Sequence, residues 1–426
     1  MLAEEREEAD ETPTFPCSDA VWQGFFRNAA DLLGKRSWEV WMGIACGLAA
    51  RAHRNIHVRY YGNLHGNLYG LLIKPTGLGK KLCTDTCEAL LPEWYTWRRG
   101  VQSGPGLAPL LAEIERDKKT GRPTSIAPRP VCLVIPEWST LAKNLKIQHA
   151  TLAEDLNELF DCPSRWSVSR SDRPGSGGGD LVIPTPSLSI CATTTASLFS
   201  QEVTPAMIRS GFMNRYLILP GSLTRWTLYD PDAAPIDPAQ LSTLPLDASY
   251  TLGLGASVWS LYADDAKFRF LAWGTPLFEG ELMNDPDSDL ELYKRLHTYA
   301  HKIALLYAWS VRSPRITREH VEAAIAVIDT SRAFLQSLLS TAAPLQPPQR
   351  VQYEISLTEK ILDKIRRESG RVDLRKLAQD LRKSATSADL KRVVDDLLAA
   401  AAIHKTDQRW LRFGPPPDRP RKPVSL

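Results

Sequence analysis

The sequence lacks any apolar run that approaches the roughly 18 residues a membrane-spanning helix requires. It also begins without the hydrophobic region of a secretory signal, because residues 1–14 are rich in glutamate and aspartate instead. These absences argue against the membrane and secreted classes and predict a cytoplasmic protein with no membrane partner. The acidic stretch 1–14 is typical of a disordered, solvated tail.

Paired cysteine motifs and a charge excess are missing as well. The seven cysteines are scattered, odd in number and free of Cys-x-x-Cys pairs, so we expect neither a disulfide framework nor a structural metal site. The 52 lysines and arginines are nearly balanced by 49 aspartates and glutamates, which leaves a net charge of +3. Any DNA-binding surface therefore has to be local.

A chain of 426 residues is too long for one compact core, so we expect several domains. Proline-rich residues 344–349 are typical of a linker. The predicted organisation is a disordered acidic tail (1–14), a helical segment (15–55), a core (56–230), a helical lid-like region (231–343), a linker (344–356), a C-terminal domain (357–413) and a disordered basic tail (414–426).

Four short apolar stretches predict a parallel sheet, because the strands of such sheets are buried on both faces. They lie at residues 68–73, 131–135, 188–193 and 216–219. Helical patterns cover residues 83–99 and 141–160, whereas the glycine-rich residues 167–180 predict a mobile loop. The expected fold is α/β, a parallel sheet core with helical flanks.

A glycine-rich turn follows the first of these strands and precedes a predicted helix. Glycines allow consecutive N–H groups to point inward around phosphates, and the helix N-terminus adds positive potential. The predicted nucleotide-binding residues of this segment are Thr76, Gly77, Leu78, Gly79, Lys80, Lys81 and Thr84.

The turn departs from the pattern G-x-x-x-x-G-K-[ST] at two positions. Lys74 stands at the first glycine and Lys81 at the hydroxyl residue. Two registers are open: either Lys80 contacts the phosphates, or Lys81 does, with Thr84 as the nearest hydroxyl. A strand-to-helix turn that merely contains glycines is the structural alternative.

The second strand ends in Pro136 and Glu137. P-loop ATPases place acidic residues at the end of a neighbouring strand, one to orient magnesium and one to polarise the attacking water. Glu137 is the candidate catalytic carboxylate, whereas Pro136 replaces the magnesium-orienting aspartate. Asp161 or Asp172 would have to reach the magnesium position instead, and without such a residue we expect binding without turnover.

Two further candidates come from the remaining strands. A polar group at a strand end commonly contacts the γ-phosphate, which makes Thr194, or its neighbour Thr193, the candidate there; the alternative is a hydroxyl that caps the helix from Ala196. Arg215 precedes the last strand and is the candidate arginine finger of a neighbouring subunit. An ion pair within the fold is the alternative for Arg215.

The C-terminal domain shows three helical patterns followed by a strand pair, the order of a winged helix. Its basic residues Lys391, Arg392, Lys405 and Arg409 are candidate phosphate contacts for duplex DNA, although many winged helices bind protein. In the core, Arg170 and Arg173 of the glycine-rich loop are candidate contacts for single-stranded DNA in a channel. A disordered surface loop is the alternative.

Taken in this order, these segments resemble the helicase-like P-loop ATPase family, a domain of unknown function of phages, plasmids and mobile elements, related to the helicase part of primase-helicases. The resemblance spans residues 21–339 and rests on residues 49–51, 69–84, 131–141, 188–194, 211–220 and 295–304. It implies a RecA-like or AAA+ P-loop core, ATP and Mg²⁺ as cofactors, and a ring-forming homo-oligomer, usually a hexamer.

The resemblance further implies an ATP-dependent DNA motor or helicase-like enzyme in replication. Its lid carries a basic residue that can face the nucleotide, and Lys302 holds that place; from the residues alone we expect a solvated Lys302. The departures at Lys74 and Pro136 support an alternative function, a catalytically degenerate nucleotide-binding scaffold that binds DNA or a partner protein.

Overall fold

The structure is a computed structural model of the chain. The residues that it describes are 15–60, 62–97, 101, 103–117, 123–145, 151–168, 181–204, 207–208, 210–222, 236–247, 249–277, 295–341, 357, 360–362, 364–365, 367–368, 371–381, 390, 393–394, 397–398, 403–405 and 410–413. The chain divides into two units, Met1–Ala342 and Ala343–Leu426.

The strands and α-helices are numbered in the order in which they follow one another along the chain. The strands are β1 (Ile56–Arg59), β2 (Asn63–His65), β3 (Tyr69–Ile73), β4 (Thr96–Trp97), β5 (Ala112–Arg116), β6 (Pro123–Pro128), β7 (Pro130–Ile135), β8 (Arg165–Val168), β9 (Leu181–Pro184), β10 (Ser187–Thr194), β11 (Leu217–Pro220), β12 (Leu252–Ser257), β13 (Arg371–Asp373), β14 (Ile403–Lys405) and β15 (Trp410–Phe413). The helices are α1 (Gly24–Leu32), α2 (Trp38–Ala52), α3 (Lys81–Ala89), α4 (Gly104–Leu111), α5 (Ser139–Leu145), α6 (Leu152–Phe160), α7 (Ala196–Glu202), α8 (Val258–Leu261), α9 (Asp264–Thr275), α10 (Leu296–Ser310), α11 (Arg318–Thr341) and α12 (Leu374–Leu381).

A five-stranded, all-parallel sheet forms the centre of the first unit, in the order β11-β3-β10-β7-β4. Every residue of β3, β10 and β11 is buried, which agrees with the continuous apolar runs of the sequence. The fold is therefore α/β, with a parallel sheet and flanking helices that are compatible with a RecA-like core.

Helices cover both faces of this sheet. Gly70 of β3 lies against Met42 and Cys46 of α2, whereas the hydroxyl of the preceding residue, Tyr69, donates to the Leu156 carbonyl of α6. Successive strand residues point to opposite faces, so α2 and α6 lie on opposite sides of the sheet. Gly43 allows α2 and α3 to pack closely, because it has no side chain. A Cβ at this position would lie 2.5 Å from the Cys83 carbonyl oxygen of α3.

The helix predicted over residues 83–99 is wrong in its second half. α3 ends at Ala89, and Pro92 precedes the short 3₁₀ helix Glu93–Tyr95 and the strand β4. Proline cannot continue a helix, because it lacks the N–H and its ring collides with the preceding turn. The two residues of β4 pair with β7 at the edge of the sheet, which the sequence did not predict.

Two β-hairpins were also missed. β5 pairs antiparallel with β6, and β8 pairs antiparallel with β9. β8 includes Ser167 and Val168, which the sequence assigned to a mobile loop. The helix predicted over residues 141–160 is two helices, α5 and α6.

The rest of the first unit contains a three-stranded sheet in the order β12-β1-β2 and the long helices α10 and α11. α10 is buried along its length and packs against α2 and α11. Among the described helices, none combines the length and the apolar composition that crossing a membrane requires.

The second unit contains a three-stranded antiparallel sheet in the order β13-β15-β14 together with α12. The strand pair predicted near the end of the chain is present, while β13 was not predicted. Aliphatic side chains form a separate core here, namely Leu357, Ile361, Ile365, Val372, Leu377, Leu390, Val393, Val394 and Leu397. This unit therefore has a hydrophobic core of its own.

Candidate nucleotide-binding site

The glycine-rich turn leaves the carboxyl end of β3, in the middle of the central sheet. From β3 the chain passes to β4 at one edge, whereas from the neighbouring strand β10 it passes to β11 on the other side of β3. Adjacent parallel strands whose connections leave in opposite directions open a crevice outside their carboxyl ends, where ligands of α/β proteins bind. The turn lies at the mouth of such a crevice.

The turn is curved and open to solvent. Gly77 and Gly79 have φ angles of 83° and 84°, which a residue with a side chain rarely adopts. Residues 75–79 are exposed, and a Cβ added to either glycine would meet no atom within 4 Å. Leu78 closes a turn over Thr76 and Gly77, whereas the other N–H groups of residues 76–81 have no backbone acceptor among the described residues. The arrangement leaves a row of amide donors free for an anionic ligand.

Three polar side chains from three different elements meet beside this turn. The Lys80 ammonium donates to Glu137 Oε2 at 3.0 Å, and the Thr194 hydroxyl donates to Glu137 Oε1 at 2.8 Å. The Lys80 side chain is 15% exposed and the Glu137 side chain 33%. Both carboxylate oxygens of Glu137 are therefore occupied, and Lys80 is drawn toward the crevice.

Lys81 and Thr84 lie differently. The Lys81 side chain is 85% exposed and its ammonium is 3.6 Å from Asp85 Oδ2, on the surface of α3. The Thr84 hydroxyl donates to the Lys81 carbonyl at 2.9 Å inside the helix, and Thr84 is buried. Of the two registers left open by the sequence, the geometry favours the one in which Lys80 faces the phosphates.

Lys74 occupies the position of the first glycine of the P-loop pattern without strain. Its φ is not positive, so this position does not require glycine. The side chain forms a buried ion pair with Glu39 of α2, whose Oε1 also accepts the Ser222 N–H at 3.0 Å. Gly221 is needed beside it, because a Cβ there would lie 2.5 Å from the Lys74 side chain.

The ion pair of Lys74 was missed by sequence reasoning. It ties the start of α2 to the ends of β3 and β11, beneath the turn. A glutamate near the start of the largely apolar segment Trp38–Ala52 was the available signal, because a buried charge needs a partner.

The end of β7 is held by backbone and hydroxyl contacts. The Pro136 carbonyl accepts the Thr193 hydroxyl at 2.5 Å, and the Trp138 N–H donates to the Thr193 carbonyl at 2.8 Å. Thr195 accepts the Leu198 N–H at 3.3 Å and caps α7. The capping role considered for this hydroxyl cluster therefore belongs to Thr195, while Thr194 faces Glu137.

Arg215 lies at the opposite, amino edge of the sheet, because it precedes β11. Its guanidinium donates to Asp161 Oδ2 at 3.2 Å and to the Gly211 carbonyl at 2.8 Å, and Asp161 Oδ1 accepts Arg295 at 2.8 Å. Burial and the neighbouring Arg295 lower the pKa of Arg215. The structure thus has the ion pair within the fold, and it places Asp161 at the edge away from the turn.

Lys302 is buried at the same amino edge, so the expectation of a solvated side chain is wrong. Its ammonium donates to the Asn67 carbonyl at 2.9 Å and to Asn67 Oδ1 at 2.6 Å, and lies 4.2 Å from the centre of the Phe160 ring. Burial lowers the pKa of Lys302 to about 8. Because Asn67 precedes β3, this lysine is one strand length away from the glycine-rich turn.

The candidate DNA contacts fall largely outside the described residues. Arg170, Arg173, Lys391, Arg392 and Arg409 lie outside them, as does Asp172, the other alternative for the magnesium position. Lys405 is the last residue of β14, and its backbone pairs with β15.

All seven cysteines are free thiols, and the described residues contain no group of three or more His, Cys, Asp or Glu side chains that could hold a metal ion. A scan against protein-family models finds no matching family, and a search of curated proteins finds no match.

Proposed function

We propose that this protein binds ATP at the carboxyl edge of its parallel sheet and acts on DNA as a helicase-like P-loop ATPase. The single observation that carries the proposal is the meeting of Lys80, Glu137 and Thr194 beside an exposed glycine turn, most of whose amide groups have no backbone acceptor among the described residues. The glycine turn supplies neutral donors, Lys80 supplies positive charge, and Glu137 supplies a base.

The chemistry of the proposed hydrolysis assigns a separate task to each side chain. A triphosphate that enters the turn attracts Lys80 away from Glu137, because its oxygens carry more negative charge than one carboxylate. Glu137 then accepts a proton from the water that attacks the γ-phosphorus, the bond to the β-phosphate oxygen breaks, and ADP leaves. Thr194 holds the carboxylate in position throughout.

The DNA part of the proposal rests on the second unit and on the sequence. A three-stranded antiparallel sheet beside short helices is the arrangement of a winged helix. Lysines 391 and 405 and arginines 392 and 409 would contact phosphates of a duplex, and Arg170 and Arg173 a single strand. The proposal includes a homo-oligomer, with a hexamer expected from the family resemblance.

ATP binding and turnover test this proposal directly. We expect Lys80→Ala to weaken ATP binding by about 10- to 100-fold, since a charge-assisted contact contributes about 1.5–3 kcal/mol. Lys81→Ala should weaken it by less than about fivefold, because that side chain faces solvent. Glu137→Gln should keep ATP affinity and lose hydrolysis, measured with and without single-stranded DNA.

The matched pair Lys80→Ala and Lys81→Ala makes this experiment specific, because both remove one lysine from the same turn. If the wild type and all three variants bind and hydrolyse ATP alike, the assignment of the site is wrong.

A second candidate function is ATP binding without turnover, in a scaffold that binds DNA or a partner protein. The observation that favours it is the end of β7, where Pro136 replaces an aspartate and Asp161 lies at the opposite edge of the sheet. Wild-type protein that binds ATP but does not release phosphate, even with single-stranded DNA, would establish this candidate over the first.

A further inference from the structure

The residues beside the glycine-rich turn do not fit a magnesium ion that the protein itself would ligate. Magnesium takes hard oxygen ligands in near-octahedral geometry, and nucleotide-binding loops supply them from a hydroxyl at the start of the helix and a carboxylate at the end of a strand. In this chain those two positions are Lys81 and Pro136.

No hydroxyl replaces the one missing at position 81. Lys81 carries a cation, which repels a metal ion, and it lies beside Asp85 on the helix surface. The next hydroxyl along α3 belongs to Thr84. It is buried and donates to the Lys81 carbonyl at 2.9 Å. To ligate a metal ion, the Thr84 hydroxyl would have to break this hydrogen bond and move out of its buried position.

Among the described residues, no carboxylate replaces the one missing at position 136. Each oxygen of Glu137 accepts one hydrogen bond, from Lys80 and from Thr194, and the proposed hydrolysis uses this carboxylate as the base and not as a metal ligand. Asp161 is paired with Arg215 and Arg295 at the other edge of the sheet. The Pro136 carbonyl oxygen, directly after β7, already accepts a hydrogen bond from the Thr193 hydroxyl.

The same stretch is rich in positive charge of its own. Lys80 and Lys81 are adjacent at the start of α3, where the helix dipole and the free amides of the turn also favour anions. Lys80 faces the crevice, whereas the exposed Lys81 adds a positive charge that solvent largely screens.

We propose that this loop binds its triphosphate without a magnesium ion ligated by the protein, with Lys80, the turn amides and the N-terminus of α3 supplying the positive potential. The inference rests on the ATP-binding half of the proposed function and not on turnover. ATP free of magnesium carries more negative charge than its magnesium complex, so these positive groups attract it at least as strongly.

Isothermal titration calorimetry of the full chain with ATP tests the inference, in buffer with excess MgCl₂ and in buffer with EDTA. We expect the dissociation constants to agree within about threefold, or to be lower in EDTA, because electrostatic attraction grows with the ligand charge. A dissociation constant at least about tenfold higher in EDTA would overturn the inference, because a protein-ligated ion would then contribute to binding.

Installing the missing ligands supplies the matched control. Lys81→Thr with Pro136→Asp should acquire a dependence on MgCl₂ of about tenfold or more, because it restores a hydroxyl and a carboxylate to the standard positions. Lys81→Thr alone, at an exposed position, is the second variant if the double variant does not fold. Folded variants that bind ATP independently of MgCl₂ would contradict the assignment of these two positions.

The same titrations distinguish a failure of the proposed function from a failure of the inference about magnesium. Absence of ATP binding in both buffers contradicts the proposed function, and the inference falls with it. Binding that is lost only in EDTA leaves the proposed function intact and overturns the inference alone.

Discussion

The two edges of the central sheet both carry paired charged side chains, yet they differ in the backbone donors that they present. At the amino edge, Lys302 is bound to Asn67, and Arg215 is bound to Asp161. At the carboxyl edge, Lys80 and Glu137 meet beside a turn most of whose amides have no backbone acceptor among the described residues. Charges are paired within the fold at both edges, but the second edge also presents exposed backbone donors to a ligand.

A charged residue indicates a binding site through its surroundings more than through its presence. A buried ammonium with several acceptors stabilises the fold, because its hydrogen bonds offset the loss of hydration. Exposed amides without an acceptor in the fold can instead donate to an anionic ligand. Variants at the amino edge should therefore affect stability, and variants at the carboxyl edge should affect ligand affinity.

The largest expected effect is that of Asn67→Ala at the amino edge. This change removes an acceptor of Lys302 and the donor to the Phe160 and Leu188 carbonyls, all of them buried. We expect the free energy of unfolding to fall by about 3 kcal/mol, because a buried ammonium loses a partner. Urea denaturation followed by circular dichroism measures this change.

ATP affinity should be unchanged in folded Asn67→Ala. The control is Asn63→Ala, at an exposed position in the neighbouring strand β2, which should change stability by less than about 0.5 kcal/mol. A loss of ATP binding in Asn67→Ala without a loss of stability would remove the distinction between the edges.

The pH dependence of stability reports on Lys302. Its pKa is about 8 in the folded protein against 10.5 for an ordinary lysine, so between these values the unfolded chain binds more protons. The free energy of unfolding should accordingly rise with pH from about 8 to about 10.5, by about 3 kcal/mol at most. Below this range the cost of burying the charged amine is fully present.

The measurement is the difference between wild type and Lys302→Met in urea midpoint over that pH range. The difference isolates Lys302 from the tyrosines and other lysines that titrate nearby. Parallel pH profiles of the two proteins would mean that Lys302 keeps an ordinary pKa.

A smaller effect separates folding from binding at the carboxyl edge. Gly79→Ala should lower stability by about 1 kcal/mol, because an alanine disfavours positive φ. Gly255→Ala is the matched control, since Gly255 has a φ of 83° and equally open surroundings in β12. Both variants should lose similar stability, but only Gly79→Ala should weaken ATP binding, as measured by calorimetry.

The smallest effect is expected for Asp161→Asn. Asp161 is 52% exposed, and exposed ion pairs contribute less than about 1 kcal/mol, so stability should change little. ATP affinity should not change, because Asp161 lies at the amino edge. Reduced ATP affinity in this variant would contradict the placement of Asp161 away from the nucleotide.

Four of the five strands of the central sheet could be predicted because each of them is a continuous apolar run. That Glu137 and Thr194 lie near the turn also follows from the sequence, since residues that follow parallel strands share the carboxyl edge. The same rule places Arg215 at the amino edge, because Arg215 precedes its strand.

Other features could not be read from the sequence. The strand β4 has two residues, which is too short for a periodic pattern, and it exists only because β7 offers it an edge. The burial of Lys302 depends on Asn67 and Phe160, which are distant along the chain. The ion pair of Lys74 with Glu39 likewise joins two elements that the sequence keeps apart.

The sequence by itself determined the alternation of strands and helices, the glycine turn and the two substitutions at positions 81 and 136. Such properties depend on local backbone preferences and on the spacing of apolar residues, which neighbouring residues suffice to set. Only the tertiary structure decided which lysine faces the crevice, which charges are paired and at which edge each one lies. Those outcomes depend on contacts between distant segments, where burial turns an ordinary charge into a paired one.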